Sequence, residues 1–222
     1  MKTIVISLER RKDRRQRVEQ HLKDHQFQDV LFYPAFDGAL MPPTNVVPPH
    51  RPYFSFKDEF GRPTNRLSNY VIACSLSHVG AIRSAQALNL PEVLIVEDDV
   101  EFSINEKDID FIMLQVPEDW DLLYLGGGIR NWRTQPTTRI NENILQPGYV
   151  DGLHAYIVRD TAYSRISKQI LKFATSTDDS VNDARFHIDN PIKAYIVDPK
   201  VAFQVEGFSE LDRKVVNRTD LR

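Results

Sequence analysis

With 222 residues, a formal net charge of -3 and a pI near 6.1, the chain has length enough for one self-sufficient core and no positive excess that would recommend nucleic acid as a partner. A single cysteine, Cys74, excludes an internal disulfide framework and every multi-cysteine zinc arrangement. The N-terminal apolar run meets charge after a few residues and is too short for a signal peptide or a membrane span, so a cytoplasmic protein without an integral membrane segment is expected.

Ile4 to Leu8 reads as a buried first strand, followed by a helix that turns Val18 and Leu22 inward. Six of the eight residues from Arg10 to Arg17 are basic. Such a run describes a solvated helix face supported by Asp13 and Glu19, or a strand-to-helix turn that offers N–H groups and arginines to a phosphate-bearing ligand. Neither a G-x-G-x-x-G nor a Walker loop is present, which disfavours a dinucleotide fold or a P-loop enzyme. Val30 to Tyr33 is a second short strand, and Asp37-Gly38 suggests a turn after it. From 41 to 65 the chain carries prolines at 42, 43, 48, 49, 52 and 63, with Tyr53, Phe54, Phe56 and Phe60 among them. That composition forbids a regular helix or a central strand, leaving a lid, an acceptor platform or an ordinary surface insertion.

Leu67 to Leu90 has helical periodicity and is closed by Pro91. Cys74 and His78 share a face of this helix, but a metal site needs more ligands than the region itself offers, and a packed cysteine with a hydrogen-bonded histidine is the plainer reading. Next, Val93-Leu94-Ile95-Val96 runs straight into Glu97-Asp98-Asp99. This is how a buried parallel strand looks when its C-terminal end opens into a polar crevice. Three adjacent carboxylates repel one another, and a divalent cation or a set of hydrogen-bond donors relieves that repulsion; a solvated acidic turn is the alternative. On an extended chain Glu97 and Asp99 point the same way and could share one ion, with Asp98 turned to the other side.

A polar helix around Glu106 to Gln115 precedes a core strand from Trp120 to Leu125. Gly126-Gly127-Gly128 then permits close backbone approach, or a plain flexible turn. Gly148 to Val158 brings a strand carrying His154, a helix follows near Thr161 to Phe173, and Ile192 to Val197 gives a last strand. Between them Ser176 to Asp183 forms a second acidic cluster, which helix capping by Thr177 and Asp178 would explain without catalysis. Alternating strands and helices with carboxylates at strand ends describe a single domain over 1–222, an open, mainly parallel α/β sheet with its ligand at the carboxyl edge. One acidic cluster can hold a metal on a pyrophosphate and the other can supply a general base, parts that serve group transfer, hydrolysis and nucleotidyl transfer alike.

Five blocks in order resemble glycosyltransferase family 25, the lipooligosaccharide and collagen-modifying sugar transferases. They are Ile6-Ser7-Leu8-Glu9-Arg10 with Arg14; Ala35 to Gly38; Ala73 to His78; Leu94 to Asp99; and Trp120 to Gly126. Gly152 to Tyr156 and Asp178-Asp179 continue the order. The resemblance implies a GT-A type fold, a nucleotide-sugar donor, commonly UDP-galactose, a glycan acceptor, and an inverting transfer assisted by Mn²⁺ or Mg²⁺. By position it implies Glu97 and Asp99 as metal ligands, with His154 completing that site or facing the donor sugar. Leu8, Arg10, Arg14, Asp37, Ser77, His78 and Asp98 would line the donor. Asp179, with Asp178 as alternative, would be the base that activates the acceptor hydroxyl. The acidic motif begins with Glu rather than Asp, which leaves metal dependence open. Lipid-linked acceptors would bring such a protein near a membrane. A catalytically silent nucleotide-sugar-binding module and a metal-dependent phosphohydrolase or nucleotidyltransferase are the rival readings, because the site and not the fold carries function.

Overall fold

Along the central strands, Ile4, Ile95, Tyr124 and Tyr156 pack into one apolar cluster, while Val5, Leu94, Leu123 and Ile157 pack into another. The period-2 alternation of side chains sends neighbouring residues to opposite faces, and both faces are covered. The computed structural model describes residues 1–47, 56–57, 63–64, 66–130, 136–186, 189–209 and 214–216. Its first elements are β1 (Thr3–Ser7), α1 (Lys12–Asp24), β2 (Val30–Pro34), β3 (Phe56–Lys57), β4 (Pro63–Thr64), α2 (Asn69–Ala87), β5 (Glu92–Glu97), β6 (Val100–Phe102) and α3 (Glu106–Met113). Then come β7 (Leu122–Tyr124), β8 (Gly128–Arg130), β9 (Thr138–Arg139), β10 (Ile144–Gln146), β11 (Tyr149–Asp151) and β12 (Ala155–Arg159). The remainder is α4 (Asp160–Ile170), α5 (Thr177–Arg185), β13 (Ala194–Val197), β14 (Ala202–Gln204), β15 (Gly207–Ser209) and β16 (Lys214–Val216).

Eight strands form one sheet in the order β2-β1-β5-β12-β7-β13-β10-β9. β2, β1 and β5 pair in parallel, as do β7 and β13, whereas β12 runs antiparallel to both β5 and β7. The five parallel strands therefore end on one edge, and the reversed β12 begins there. This is the open, mainly parallel α/β sheet flanked by helices that the sequence predicts. Helices α2, α4 and α5 cover one face through Val79, Ile82, Ala162, Ile166 and Val181. On the other face α1 and α3 contribute Val18, Leu22 and Ile109.

The expected strand from Gly148 to Val158 is in fact two strands in different sheets. β11 pairs with β8, β12 sits in the main sheet, and Gly152 turns between them at φ 86°, in the left-handed region that favours glycine. The break places Leu153 and His154, both still buried, at the carboxyl edge instead of mid-strand. Helix α5 differs too: Ser176 is its cap, accepting from the Asp179 backbone N–H at 3.4 Å, and Thr177 and Asp178 lie inside the first turn. The Pro-rich stretch is described in part. Residues 41–47 are tied to the start of α2, where Asn69 Nδ2 donates to the Met41 carbonyl and the Leu67 N–H donates to the Val46 carbonyl. Tyr53, Phe54 and Phe60, on which the lid or platform reading rests, lie outside the described residues.

Candidate functional site

At the carboxyl ends of β1, β2 and β5 lies a cleft of about 360 Å³. Its lining includes Leu8, Arg14, Asp37, Ser77, His78, Glu97, Asp98, Asp99, His154 and Asp178. Among the described residues that line it, two of the expected site residues are missing: Arg10 and Asp179. Arg10 stands at the rim, its Nε donating to Asp37 at 2.5 Å and holding that carboxyl below its ordinary range. Topology explains the gathering, because parallel strands deliver their C-terminal residues to one edge and β12 delivers its N-terminal flank.

Glu97 ends β5, and Asp98 and Asp99 form a tight turn into β6, so the acidic motif does not run on as an extended strand. Asp98 points into the body of the fold, accepting from Ser7 Oγ at 2.9 Å and from Arg14 at 3.0 Å. Glu97 and Asp99 do converge, on the side-chain amide of Gln204, which lies 3.4 Å from the former and 3.2 Å from the latter. Arg14 reaches Asp99 as well, at 3.4 Å. Burial, and then the neighbouring Glu97 and Asp98 charges, push the Asp99 carboxyl up to about 7 despite Arg14. A buried oxygen donor held so near protonation, with a second carboxylate aimed at the same amide, has the chemistry of a set that a hard divalent cation would relieve.

On the α2 wall, Ser77 uses its hydroxyl internally. It donates to the Ala73 carbonyl at 2.7 Å and accepts from the Phe36 N–H at 2.9 Å, which fixes the chain leading into Asp37. His78 is buried, with Nδ1 at 3.0 Å from the Tyr156 hydroxyl and Nε2 at 3.3 Å from Glu97. Burial works against a charged ring there, but Tyr156, Cys74 and Glu97 outweigh it and raise the His78 pKa.

His154 Nε2 faces the Ala202 carbonyl at 3.3 Å. Gly126 makes this approach possible: a Cβ there would stand 2.2 Å from the Ala202 carbonyl oxygen and 2.3 Å from His154 Nε2. The glycine run thus serves close approach at its first position. Gly126→Ala should destabilise the fold by about 1–3 kcal/mol through overpacking against a backbone atom that cannot swing aside. Urea unfolding would show it, and an unchanged midpoint would mean that β14 is free to retreat.

The second acidic cluster divides its roles. Asp178 faces the cleft, accepting from the Gly152 N–H at 3.2 Å and from Ser176 Oγ at 2.6 Å. Asp179 accepts from Thr175 Oγ1 at 2.9 Å, and burial followed by the Asp183 charge raises it from 3.8 to about 6. Because its folded pKa lies above the unfolded one, the unfolded chain ionises first as pH climbs from about 4, and the fold carries the full penalty above about 6. Asp179→Asn should therefore melt at a higher temperature than the parent at about pH 7.5, with the gain gone below about pH 4. A variant that melts lower at neutral pH would show instead that ionised Asp179 is held favourably.

Several lining residues had no signal in the sequence. Gln204 follows in a charged tail, Arg130 ends the short strand after the glycine run, and Asp151 and Tyr70 complete the walls.

A model of glycosyltransferase family 25 (LPS biosynthesis protein) matches residues 1–197. Procollagen galactosyltransferase 1-B of Xenopus laevis is 31% identical over 132 residues, covering 55% of this chain and 20% of that protein. A probable inactive glycosyltransferase 25 family member 3 of Bos taurus is 27% identical over 165 residues, 69% of this chain and 26% of that one. The chain thus spans about a fifth to a quarter of the length of these two relatives. A glycosyltransferase involved in glycosylation of the major capsid of PBCV-1 overlays 96% of this chain and 95% of its own at 10% identity, with a TM-score of 0.48. With a family model matching nearly nine-tenths of its length, the chain belongs to glycosyltransferase family 25.

Proposed function

We infer that the cleft transfers a hexose, galactose or glucose, from a UDP-sugar to a hydroxyl of a glycan acceptor, with inversion. The observation that carries this reading is the convergence of Arg14, Asp37, the Glu97 to Asp99 motif and Asp178 on one cleft. Asp37 and Leu8 line the end nearest β1 and β2 and would take the nucleoside, while Arg14 supplies positive charge beside the diphosphate. Glu97 and Asp99 would hold Mn²⁺ or Mg²⁺, with His154 on the same cleft as a third candidate. When bound, the cation neutralises charge on the leaving diphosphate.

Asp178 is the carboxylate of its pair that faces the cleft, and geometry precedes pKa in choosing a base. It would take the proton of the acceptor hydroxyl as that oxygen bonds to the anomeric carbon. The bond from that carbon to the diphosphate breaks on the opposite face, which inverts the centre. Asp98, tied to Ser7 and Arg14, holds the turn and the arginine in register. Among the described residues no helix is long and apolar enough to cross a membrane.

Calorimetric titration with UDP-, GDP- and CMP-sugars, each with and without Mn²⁺, followed by assay of nucleotide release with glycan acceptors, tests the reading. UDP-sugar binding strengthened by Mn²⁺, with glycoside formed in step with UDP released, is the expected result. Binding without turnover would favour the silent module, a live alternative given the probable inactive relative. Nucleotide breakdown without an acceptor would favour the hydrolase.

A further inference from the structure

Among the described residues, one cluster has donors of a different chemical class from the acidic turn. Cys74 and His78 stand one helical turn apart on α2, and Glu97 ends β5 beside them. A thiol sulfur, an imidazole nitrogen and a carboxylate oxygen of the three lie within 4.8 Å of one another. We propose that Cys74, His78 and Glu97 form a binding site for a thiophilic divalent cation of the zinc class, distinct from the Glu97 and Asp99 oxygen pair and sharing only Glu97 with it.

Tetrahedral zinc, with bonds of about 2.0–2.3 Å, places neighbouring donors roughly 3.5 Å apart. His78 Nε2 and Glu97 Oε1 already stand at 3.3 Å, so only the thiol must close in. His78 and Cys74 each also have an outer partner, as metal ligands generally do. With Nε2 on the ion, His78 Nδ1–H donates to the Tyr156 hydroxyl oxygen 3.0 Å away. Thr177 Oγ1 donates to Cys74 Sγ at 3.4 Å and is itself in contact with Ser75 Oγ at 3.0 Å. All three ligands line the cleft, so the fourth coordination position opens toward it. The thiolate selects zinc-class ions over Mg²⁺ and Mn²⁺, which prefer oxygen.

The helix by itself offers two ligands, and the third arrives from a strand that the sheet places alongside. The site stands whether or not the chain transfers sugar. Its consequence for the cleft is antagonism, because a carboxylate engaged by zinc is withdrawn from a hard cation shared with Asp99.

The untagged 222-residue chain titrated with Co²⁺ as the spectroscopic probe should show a sulfur-to-cobalt charge-transfer band at one equivalent, bleached by Zn²⁺. Cys74→Ser and Cys74→Ala should both abolish the band, and zinc affinity, read by competition with a chromophoric chelator, should fall at least about tenfold. Cys74 is only half-buried, so these variants should fold, and circular dichroism checks that they do. Asp99→Ala should keep the band. No band in the folded parent, or an unchanged zinc affinity in both Cys74 variants, would overturn the proposal; a band lost in Asp99→Ala would show that the two sites are not distinct.

Discussion

Asp99→Ala should lower sugar transfer by at least about a hundredfold, the scale expected when a principal stabiliser of leaving-group charge is lost. The carboxylate is buried, and burial with two adjacent carboxylates pushes it up to about 7. A fold has little reason to hold a group in that condition unless something positive visits it, and within the cleft Arg14 is already divided between Asp98 and Asp99. Removing Asp99 also removes like-charge repulsion from Glu97 and Asp98, so the variant should remain folded, which separates lost chemistry from lost structure. Steady-state assays at several Mn²⁺ concentrations would measure the loss together with a weakened metal requirement. Activity within a few-fold of the parent would remove Asp99 from the metal site. Asp98→Ala is the contrasting variant: it removes the acceptor of Ser7 Oγ and a carboxylate partner of Arg14, and stability should fall along with activity.

The sheet was legible because its strands are continuous apolar runs. Val93 to Val96 and Ile4 to Ile6 are covered on both faces, and nothing but a buried strand accounts for such β-branched stretches bounded by charge. Carboxylates at the end of β5 could be placed at a cleft for the same reason. What stayed hidden were contributions from irregular or reversed chain. Gly152 reads as an interior residue of one strand, yet its positive φ splits that strand and leaves His154 at the edge. Gln204 joins the two acidic side chains from a short strand in the tail, paired with β6, and no periodicity marks it. Cys74 and His78 offered too few ligands for a metal site within their own helix, and Glu97, which stands beside them, comes from β5, a different element. Pattern reading finds partners along one element; it does not find those the sheet brings from elsewhere.

The same distinction decides between two adjacent aspartates that sequence cannot separate. Consecutive residues in the first turn of a helix point about 100° apart, so one of Asp178 and Asp179 faces the cleft and the other does not. Asp178 is the one that lines it. Asp178→Asn should therefore reduce turnover by about a hundredfold to ten-thousandfold, the range for loss of a positioned general base. Donor affinity should stay within about threefold, because the base meets the acceptor oxygen and not the nucleotide. Asparagine keeps an acceptor for the Gly152 N–H or for Ser176 Oγ, so the turn should hold its shape. Asp179→Asn, by contrast, should change turnover only modestly while raising the melting temperature at neutral pH. Single-turnover rates combined with calorimetric donor affinities separate the two variants. Equal losses of binding and turnover in Asp178→Asn would make it a donor-holding residue, and a large selective loss in Asp179→Asn would transfer the role of base to its neighbour.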